Sequence, residues 1–226
     1  MRKARRDDQN SYIRELVLDT AERLFAEHGV FAVSNRQIAE AAGQGNTAVV
    51  GYHFGTKTDL VRALVRRFNV VVEKSRAQML ARIGDSKDVR DWVECQVYPI
   101  TDRLAELGSP SWFARFGAQV MTDPTLRDIM VEEAILASPS VRQAFDGIRR
   151  SVPALPPEVR REREDVALTL IVHMCAERER ALADDTPPTP SPSWHSAASG
   201  LTDILVAVWL APVSPVEEPP LTRHRR

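Results

Sequence analysis

The sequence is poor in cysteine, glycine and long apolar runs, and each scarcity excludes a class of protein. Its two cysteines, Cys95 and Cys175, are too few for a disulfide scaffold and are typical of a reducing cytosol. No stretch of eighteen or more residues is apolar and free of charges, so no transmembrane helix is predicted. Only ten of 226 residues are glycine, and apolar residues recur at helical spacing rather than at every second position. We therefore predict an all-α fold.

Charge is almost balanced over the whole chain but is unevenly distributed along it. The formal net charge is −1, while residues 1–70 carry +3 and the remainder −4. Arg2, Lys3, Arg5 and Arg6 are predicted to lie ahead of the first helix, where they could contact phosphates, although a solvated disordered tail explains them equally well. No apolar stretch follows this basic start, which excludes a secretory signal, and we expect a cytoplasmic protein.

Local signals mark four helices in the first third of the chain. An apolar face runs from Ile13 to Phe25, and His28-Gly29 marks the end of the first helix. Ser34 and Gln37 form a capping box that begins a short helix through residue 42. A third helix is predicted over 46–54, and Thr56 is the expected N-cap of a fourth.

Proline marks helix starts and breaks in the remaining two thirds. A capping residue followed by proline predicts helix starts at Ser109-Pro110, Asp123-Pro124 and Ser138-Pro139. Longer helices are predicted over 158–183 and 194–210, separated by a proline-rich loop at 186–193. Residues 212–226 are predicted to form a disordered tail.

The most informative segment is 37–60, in which two short helices meet at a turn containing Gly43 and Gly45. Glycine in the turn allows the two backbones to cross closely. The second helix has few long side chains and is flanked by polar ones, a pattern suited to a helix that enters the major groove of DNA.

Three pieces of this region resemble the tetracycline-repressor (TetR) family of bacterial regulators. They are LFAEHG at 24–29, QIAEAAG at 37–43 and YHFGTKTDL at 52–60. The resemblance covers about residues 11–65. One spacing differs, because Phe54 lies eleven positions after Gly43 where the commoner family pattern has ten. Either the turn or the start of the recognition helix is longer by one residue.

The resemblance implies an N-terminal arm and three-helix DNA-binding domain over 1–56 and a helical effector-binding and dimerisation domain over 57–211. It implies a homodimer that binds a double-stranded operator and a small-molecule effector, with no membrane partner, no cofactor and no metal. The DNA-binding residues carried over by position begin the second helix, lie on the recognition helix or contact phosphates: Ser34, Arg36, Asn46, Thr47, Val49, Val50, Tyr52, His53 and Lys57. Val50 and Tyr52 could instead belong to the core, and His53 could only cap a helix end.

An effector pocket is expected between about residues 85 and 180, which hold most tryptophan and phenylalanine outside the DNA-binding domain. Few charges look buried there, so we expect a neutral or weakly polar, mainly apolar molecule. The candidate contacts are Trp112, Phe116 and Met174, with His173 as the hydrogen-bonding residue. Each of the large side chains could equally be ordinary core.

Two other functions compete with a ligand-responsive repressor. An all-α enzyme or metal protein would use His173, Cys175 and Glu177, since His173 and Glu177 share a helix face at i and i+4. Residues two apart on a helix point about 200° away from each other, which disfavours a His173–Cys175 nucleophilic pair. A helical adaptor that binds only protein would not need the 37–60 motif. The sequence leaves open whether the regulator represses or activates.

Overall fold

The computed structural model describes residues 2–133, 138–183 and 193–214, and in these ranges it contains ten helices and no strand. The helices are α1 (Arg2–His28), α2 (Asn35–Ala41), α3 (Val49–Phe54), α4 (Lys57–Ile83), α5 (Val89–Leu107), α6 (Phe113–Thr122), α7 (Arg127–Val131), α8 (Pro139–Ser151), α9 (Pro157–Ala183) and α10 (Trp194–Leu210). The all-α prediction is confirmed, and the last two helices begin and end within one residue of their predicted bounds. Most of the predicted loop at 186–193 and of the tail at 212–226 lies outside the described residues.

Four predicted helix starts are wrong, one of them that of α3, which was predicted at residue 46 and lies at Val49. Helix α1 begins at Arg2, so the basic residues at 2–6 lie within the helix and not ahead of it. Helix α6 begins at Phe113 instead of after Ser109-Pro110. Asp123 caps a turn, in which its carboxylate accepts hydrogen bonds from the amides of Thr125 (2.8 Å) and Leu126 (3.2 Å), and α7 begins later. Of the three starts predicted from a capping residue followed by proline, only the one at Ser138-Pro139 is confirmed.

The core of the N-terminal helices continues into the C-terminal half. Phe25 of α1 is fully buried and stacks on Phe116 of α6, with ring centroids 6.1 Å apart. Phe68 of α4 stacks on Phe113 of α6 at 3.7 Å. Because the two halves share one close-packed apolar cluster, a shift of α6 would displace side chains of α1 and α4.

A second apolar cluster joins α5, α8, α9, α10 and the end of α4. Its largest members are Trp92 and Trp209, both 1% exposed. Helix α8 approaches α5 closely at Gly147, where the indole of Trp92 occupies the space that a side chain would need. The Trp92 Nε1–H donates to the Ser86 carbonyl at 3.1 Å, which fixes the ring in this position.

A buried carboxylate determines where α6 begins. Glu179 of α9 is 1% exposed and accepts hydrogen bonds from the amides of Ala114 (3.2 Å) and Arg115 (2.9 Å) in the first turn of α6. The Ser111 hydroxyl donates to it at 2.8 Å, and the Arg115 guanidinium lies 3.3 Å away. A carboxylate at a helix N-terminus accepts hydrogen bonds from the free amides of the first turn and interacts favourably with the helix macrodipole. This distant partner explains why the local Ser-Pro signal failed.

Candidate functional site

Helices α2 and α3 form a helix-turn-helix whose first helix is held by its own side chains. The Ser34 hydroxyl accepts from the Gln37 amide, and Gln37 Oε1 accepts from the Ser34 amide at 2.8 Å, so the predicted capping box is confirmed. Ile38 and Ala39 are buried against the rest of the domain. Arg36 points outward and pairs with Glu40 at 2.7 Å. The N-terminal turn of α2 therefore exposes a basic, polar edge.

The turn between these helices accounts for the residue by which the spacing differs from the family pattern. Helix α3 begins only at Val49, so residues 42–48 form the turn and the extra residue lies there. Gly43 has φ +66°, which a residue with a Cβ rarely adopts. The Asn46 carboxamide oxygen accepts from the Ala48 amide at 3.0 Å, which shapes the entry to α3.

Helix α3 has one buried and one exposed face. Val49, Val50 and Phe54 pack into the core between α1 and α4. Ala48, Gly51 and Tyr52 are exposed, and the Tyr52 side chain is 74% accessible. The outward face is therefore nearly smooth at Ala48 and Gly51 and carries one aromatic hydroxyl at its edge. A helix with so few protruding atoms can approach base edges closely.

His53 lies beside Tyr52 and is half-buried. The two rings meet edge to face with centroids 5.0 Å apart. Burial, followed by the positive charge of Arg14, lowers the pKa of His53 below 6.5. The imidazole is therefore mainly neutral at pH 7, and any phosphate contact it makes is a hydrogen bond rather than an ion pair.

The ammonium group of Lys57 forms hydrogen bonds within the protein. Its Nζ donates to the carbonyls of Val30 (3.1 Å) and Val33 (2.5 Å) in the loop between α1 and α2. Partial burial lowers the pKa of Lys57. Lysine at the first turn of a helix is disfavoured by the macrodipole, and these two carbonyls, rather than a phosphate, compensate it. One of the three N–H donors remains, so the predicted phosphate contact stays a prediction.

Replacing Lys57 with methionine separates these two roles. Loss of two hydrogen bonds from a charged group to otherwise unpaired carbonyls should lower the free energy of unfolding by about 2 kcal/mol. Denaturant unfolding measures this. If the third donor also reaches a phosphate, the slope of log K against log salt for DNA binding falls by about one unit. A variant as stable as the wild type would contradict the structural role, and an unchanged salt slope would remove the phosphate contact.

The C-terminal half encloses a cavity of about 110 Å³ between α4, α5, α6, α7, α8 and α9. Most of its wall is apolar, with Phe68, Ile100, Phe113, Met130, Phe145 and Ile171 among the lining residues. Three polar side chains also line it: Asn69 and Arg76 from α4, and Gln96 from α5. An apolar space with a few placed polar groups has the composition of a small-molecule site.

Comparison with known proteins gives relatives of one kind. Residues 17–64 match the family described as "Bacterial regulatory proteins, tetR family". The HTH-type transcriptional repressor AcnR of Corynebacterium glutamicum is 25% identical over 140 residues, which are 60% of this chain and 65% of the relative. AcnR of Corynebacterium efficiens is 29% identical over 89 residues, 37% of this chain and 47% of the relative. The chain thus spans less than two thirds of the length of either relative.

Solved structures share the fold. A structure from Shewanella sp. PV-4 assigned to the TetR family of transcription regulators aligns with a TM-score of 0.57 at 18% identity, covering 85% of this chain and 95% of that one. The TetR family regulator PfmR of Thermus thermophilus aligns with a TM-score of 0.56 at 16% identity, covering 84% and 96%. The segment 17–64 therefore matches the tetR family of bacterial regulatory proteins, and the fold of the chain is shared with solved structures of that family. The matched segment 17–64 contains the second half of α1, all of α2 and α3, and the first turns of α4.

The structure corrects several predicted DNA contacts. Asn46 and Thr47 lie in the turn before α3 instead of on the recognition helix, since both have low helix propensity. Val49 is 8% and Val50 0% exposed, so both pack in the core and neither can reach a base. Sequence reasoning missed Ala48 and Gly51 on the exposed face. Ser34, Arg36, Tyr52 and His53 are at least partly exposed, and their DNA contacts stay predictions.

The predicted effector contacts do not line the cavity. Phe116 of α6 is fully buried against Phe25 of α1. Met174 is 48% exposed on the outer face of α9. Neither Trp112 nor His173 lines the cavity. The mainly apolar lining agrees with the expectation, but Phe68, Asn69 and Arg76 of the lining lie on α4, outside the expected range 85–180. The expectation of few buried charges in that range is wrong, because Glu133, Arg163, Arg178 and Glu179 are buried. In the cavity itself the buried charge is Arg76, which is 5% exposed. Its place among Phe68, Val72 and Leu80 on the apolar stripe of α4 was the available signal.

The competing His173–Cys175–Glu177 site is not assembled. Cys175 faces the cavity, and burial raises the pKa of its thiol to about 12, so it cannot supply a thiolate at neutral pH. Glu177 is exposed and pairs with Arg180 on the same helix. In the described residues, no group of three or more His, Cys, Asp or Glu side chains could hold a metal ion. In the same ranges, no helix combines the length and apolarity needed to cross a membrane.

Proposed function

We propose that this protein is a homodimeric DNA-binding transcriptional repressor that a small molecule releases from a palindromic operator. The observation that carries the proposal is the exposed, nearly smooth face of α3, which packs against α2 and α4 next to the basic edge of α2. The family match covers the same residues. Relatives that are repressors support repression over activation. No feature of the described residues favours an enzyme.

DNA would be bound with α3 in the major groove and α2 against the sugar-phosphate backbone. Gly51 and Ala48 would face base edges, and Tyr52, at the rim of the same face, would donate its hydroxyl to a phosphate. Arg36 and the exposed Ser34 edge would contact the backbone on the other side. The turn residues 46 and 47 would approach the DNA ahead of α3.

Dimerisation is proposed through α9 and α10, which leave apolar side chains uncovered in the single subunit. These exposed residues are Val166, Met174 and Leu182 on α9 and Ile204 and Leu210 on α10. Pairing with the same two helices of a second copy would form a four-helix bundle and cover them. A two-fold dimer in turn requires an operator with two-fold symmetry.

The release mechanism would act through α4, because this helix lines the cavity and also supports the recognition helix. Arg62 and Arg66 near the start of α4 bind the 7%-exposed Glu133 at 2.8–3.0 Å, just beyond α7. Met130 of α7 lines the cavity. A ligand that displaces Met130 would therefore move α4 through these ion pairs, changing the spacing of the two recognition helices. By linkage, operator DNA must weaken ligand binding by the same factor.

Selection from random DNA duplexes tests the proposal. The enriched sites should be inverted repeats whose half-site centres lie one helical turn, or a multiple, apart. Light scattering at micromolar concentration should give twice 25.3 kDa. The substitution Ile204→Glu should reduce the measured mass to that of one subunit and abolish binding to the inverted repeat. Enrichment of single half-sites, or a monomer in the wild type, would overturn the dimeric repressor.

A further inference from the structure

The polar side of the cavity contains amide groups without partners. Gln96 is 5% exposed, and neither its Nε2 nor its Oε1 has a hydrogen-bond partner. The Nδ2 of Asn69 is also buried and unpaired. Buried amide groups are costly when unpaired, and native proteins pair almost all of them. These two side chains face the same cavity, which indicates that they are placed for a ligand.

Arg76 brings a positive charge to the same wall. Its Nε donates to the Cys95 carbonyl at 2.9 Å, which anchors the guanidinium to α5, the helix that also carries Gln96. Its Nη1 makes only longer contacts, at 3.5 Å to the Ser140 hydroxyl and 3.7 Å to Glu73. No hydrogen bond from Nη2 to another described residue is present. Several of its five N–H donors therefore have no close acceptor.

Glu73 does not occupy the place of a ligand anion. Its carboxylate accepts hydrogen bonds from the amide (3.0 Å) and the hydroxyl (2.5 Å) of Ser140 at the start of α8. Its side chain is 28% exposed, so water screens its charge more than that of Arg76. The guanidinium thus has Glu73, a partly solvated counterion at 3.7 Å, on one side and the apolar cavity on the other.

We propose that the effector is a small apolar molecule carrying one carboxylate, bound by Arg76 with Gln96 and Asn69 donating to the same group. Arginine matches the planar, two-oxygen geometry of a carboxylate, and both amides supply further donors. The cavity of about 110 Å³ and its rings, Phe68, Phe113 and Phe145, fit a single-ring or short-chain body. Calling the ligand an effector rests on the proposed function. The binding site is argued from its residues alone.

Matched pairs of probes test the ligand class on the full chain. Benzoate and hexanoate are compared with benzamide and hexanamide by calorimetry and by thermal shift, because each pair differs mainly in charge. At least one carboxylate should bind at least tenfold more tightly than its amide. Equal binding of carboxylate and amide in both pairs, or no binding of either carboxylate, overturns the proposal.

Variants distinguish a ligand-binding wall from a structural one. Gln96→Leu should weaken carboxylate binding at least tenfold while raising the melting temperature, because it removes unpaired amide groups from an apolar site. Arg76→Gln should abolish the preference for carboxylate over amide. Arg82→Gln, on the exposed end of the same helix, should change neither property. A lower melting temperature in Gln96→Leu with carboxylate affinity unchanged would assign Gln96 a structural role and overturn the site, even if Arg76→Gln fails to fold.

DNA binding measured on the same samples separates this inference from the proposed function. Carboxylate binding that depends on Arg76 and Gln96 but leaves the affinity for selected DNA unchanged supports the site and overturns ligand-controlled release. Release of DNA by the neutral amides as effectively as by the carboxylates supports the proposed function and overturns the anion site.

Discussion

Replacing Gly147 with alanine is expected to lower the melting temperature by roughly 6–12 °C, since overpacking a close-packed core costs about 3 kcal/mol and each kcal/mol corresponds to about 2–4 °C in a chain of this size. An ideal Cβ at this position would lie 2.0 Å from Trp92 Cδ2 and 2.1 Å from Cε3. The indole cannot retreat easily, because it is 1% exposed and hydrogen-bonded to Ser86. Thermal unfolding followed by circular dichroism measures the change.

The matched control for this substitution is Gly51→Ala. Gly51 also lies inside a helix, but a Cβ there meets no atom within 4 Å. Alanine should therefore stabilise α3 by up to about 1 kcal/mol through its higher helix propensity. Equal changes in the two variants would mean that Trp92 and α8 do not pack as described. A Gly147 variant that keeps its melting temperature would have the same consequence.

Replacing Gly51 with glutamate is expected to weaken DNA binding on the order of 100-fold, or about 2.7 kcal/mol. The new side chain would project from the exposed face of α3 into the proposed groove. It would hold the backbone away from the base edges and place a negative charge among phosphates. Fluorescence anisotropy with the selected duplex measures the affinity. Because Gly51 is solvent-exposed, the fold should remain intact.

The charge control for this variant is Ala81→Glu. Ala81 is exposed near the end of α4, about 36 Å along the helix from its first residue at 1.5 Å per residue. The substitution changes the net charge equally but far from α3, so it should leave DNA affinity within about twofold, since exposed charges beyond a Debye length of about 10 Å are largely screened. A comparable loss in both variants would show that overall charge, and not the α3 surface, governs binding.

Features that depend on neighbours along the chain were predictable from sequence. Ser34 with Gln37 and Thr56 with Asp59 both form capping boxes in the structure, because each needs only two side chains three residues apart. The bounds of α9 and α10 follow from long periodic stretches next to proline-rich segments. The three family motifs likewise lie within short segments, so the DNA-binding unit could be recognised from its residues alone.

Features that depend on distant partners were decided only by tertiary structure. Helix α3 has six residues, too few for a periodic pattern to show that Val50 is buried and Tyr52 exposed. The start of α6 depends on Glu179, which lies more than sixty residues later in the chain.

The cavity shows the same limit most clearly. Arg76 and Gln96 lie on apolar helix stripes, and a sequence cannot tell whether such a residue is satisfied by the core or turned toward a ligand. The packing of six helices around one space makes that distinction, because it leaves the Gln96 amide buried without a partner and brings it to the same cavity as Arg76. Local interactions thus determined which segments are helical, and long-range packing determined which of their faces meet DNA, the core or the cavity.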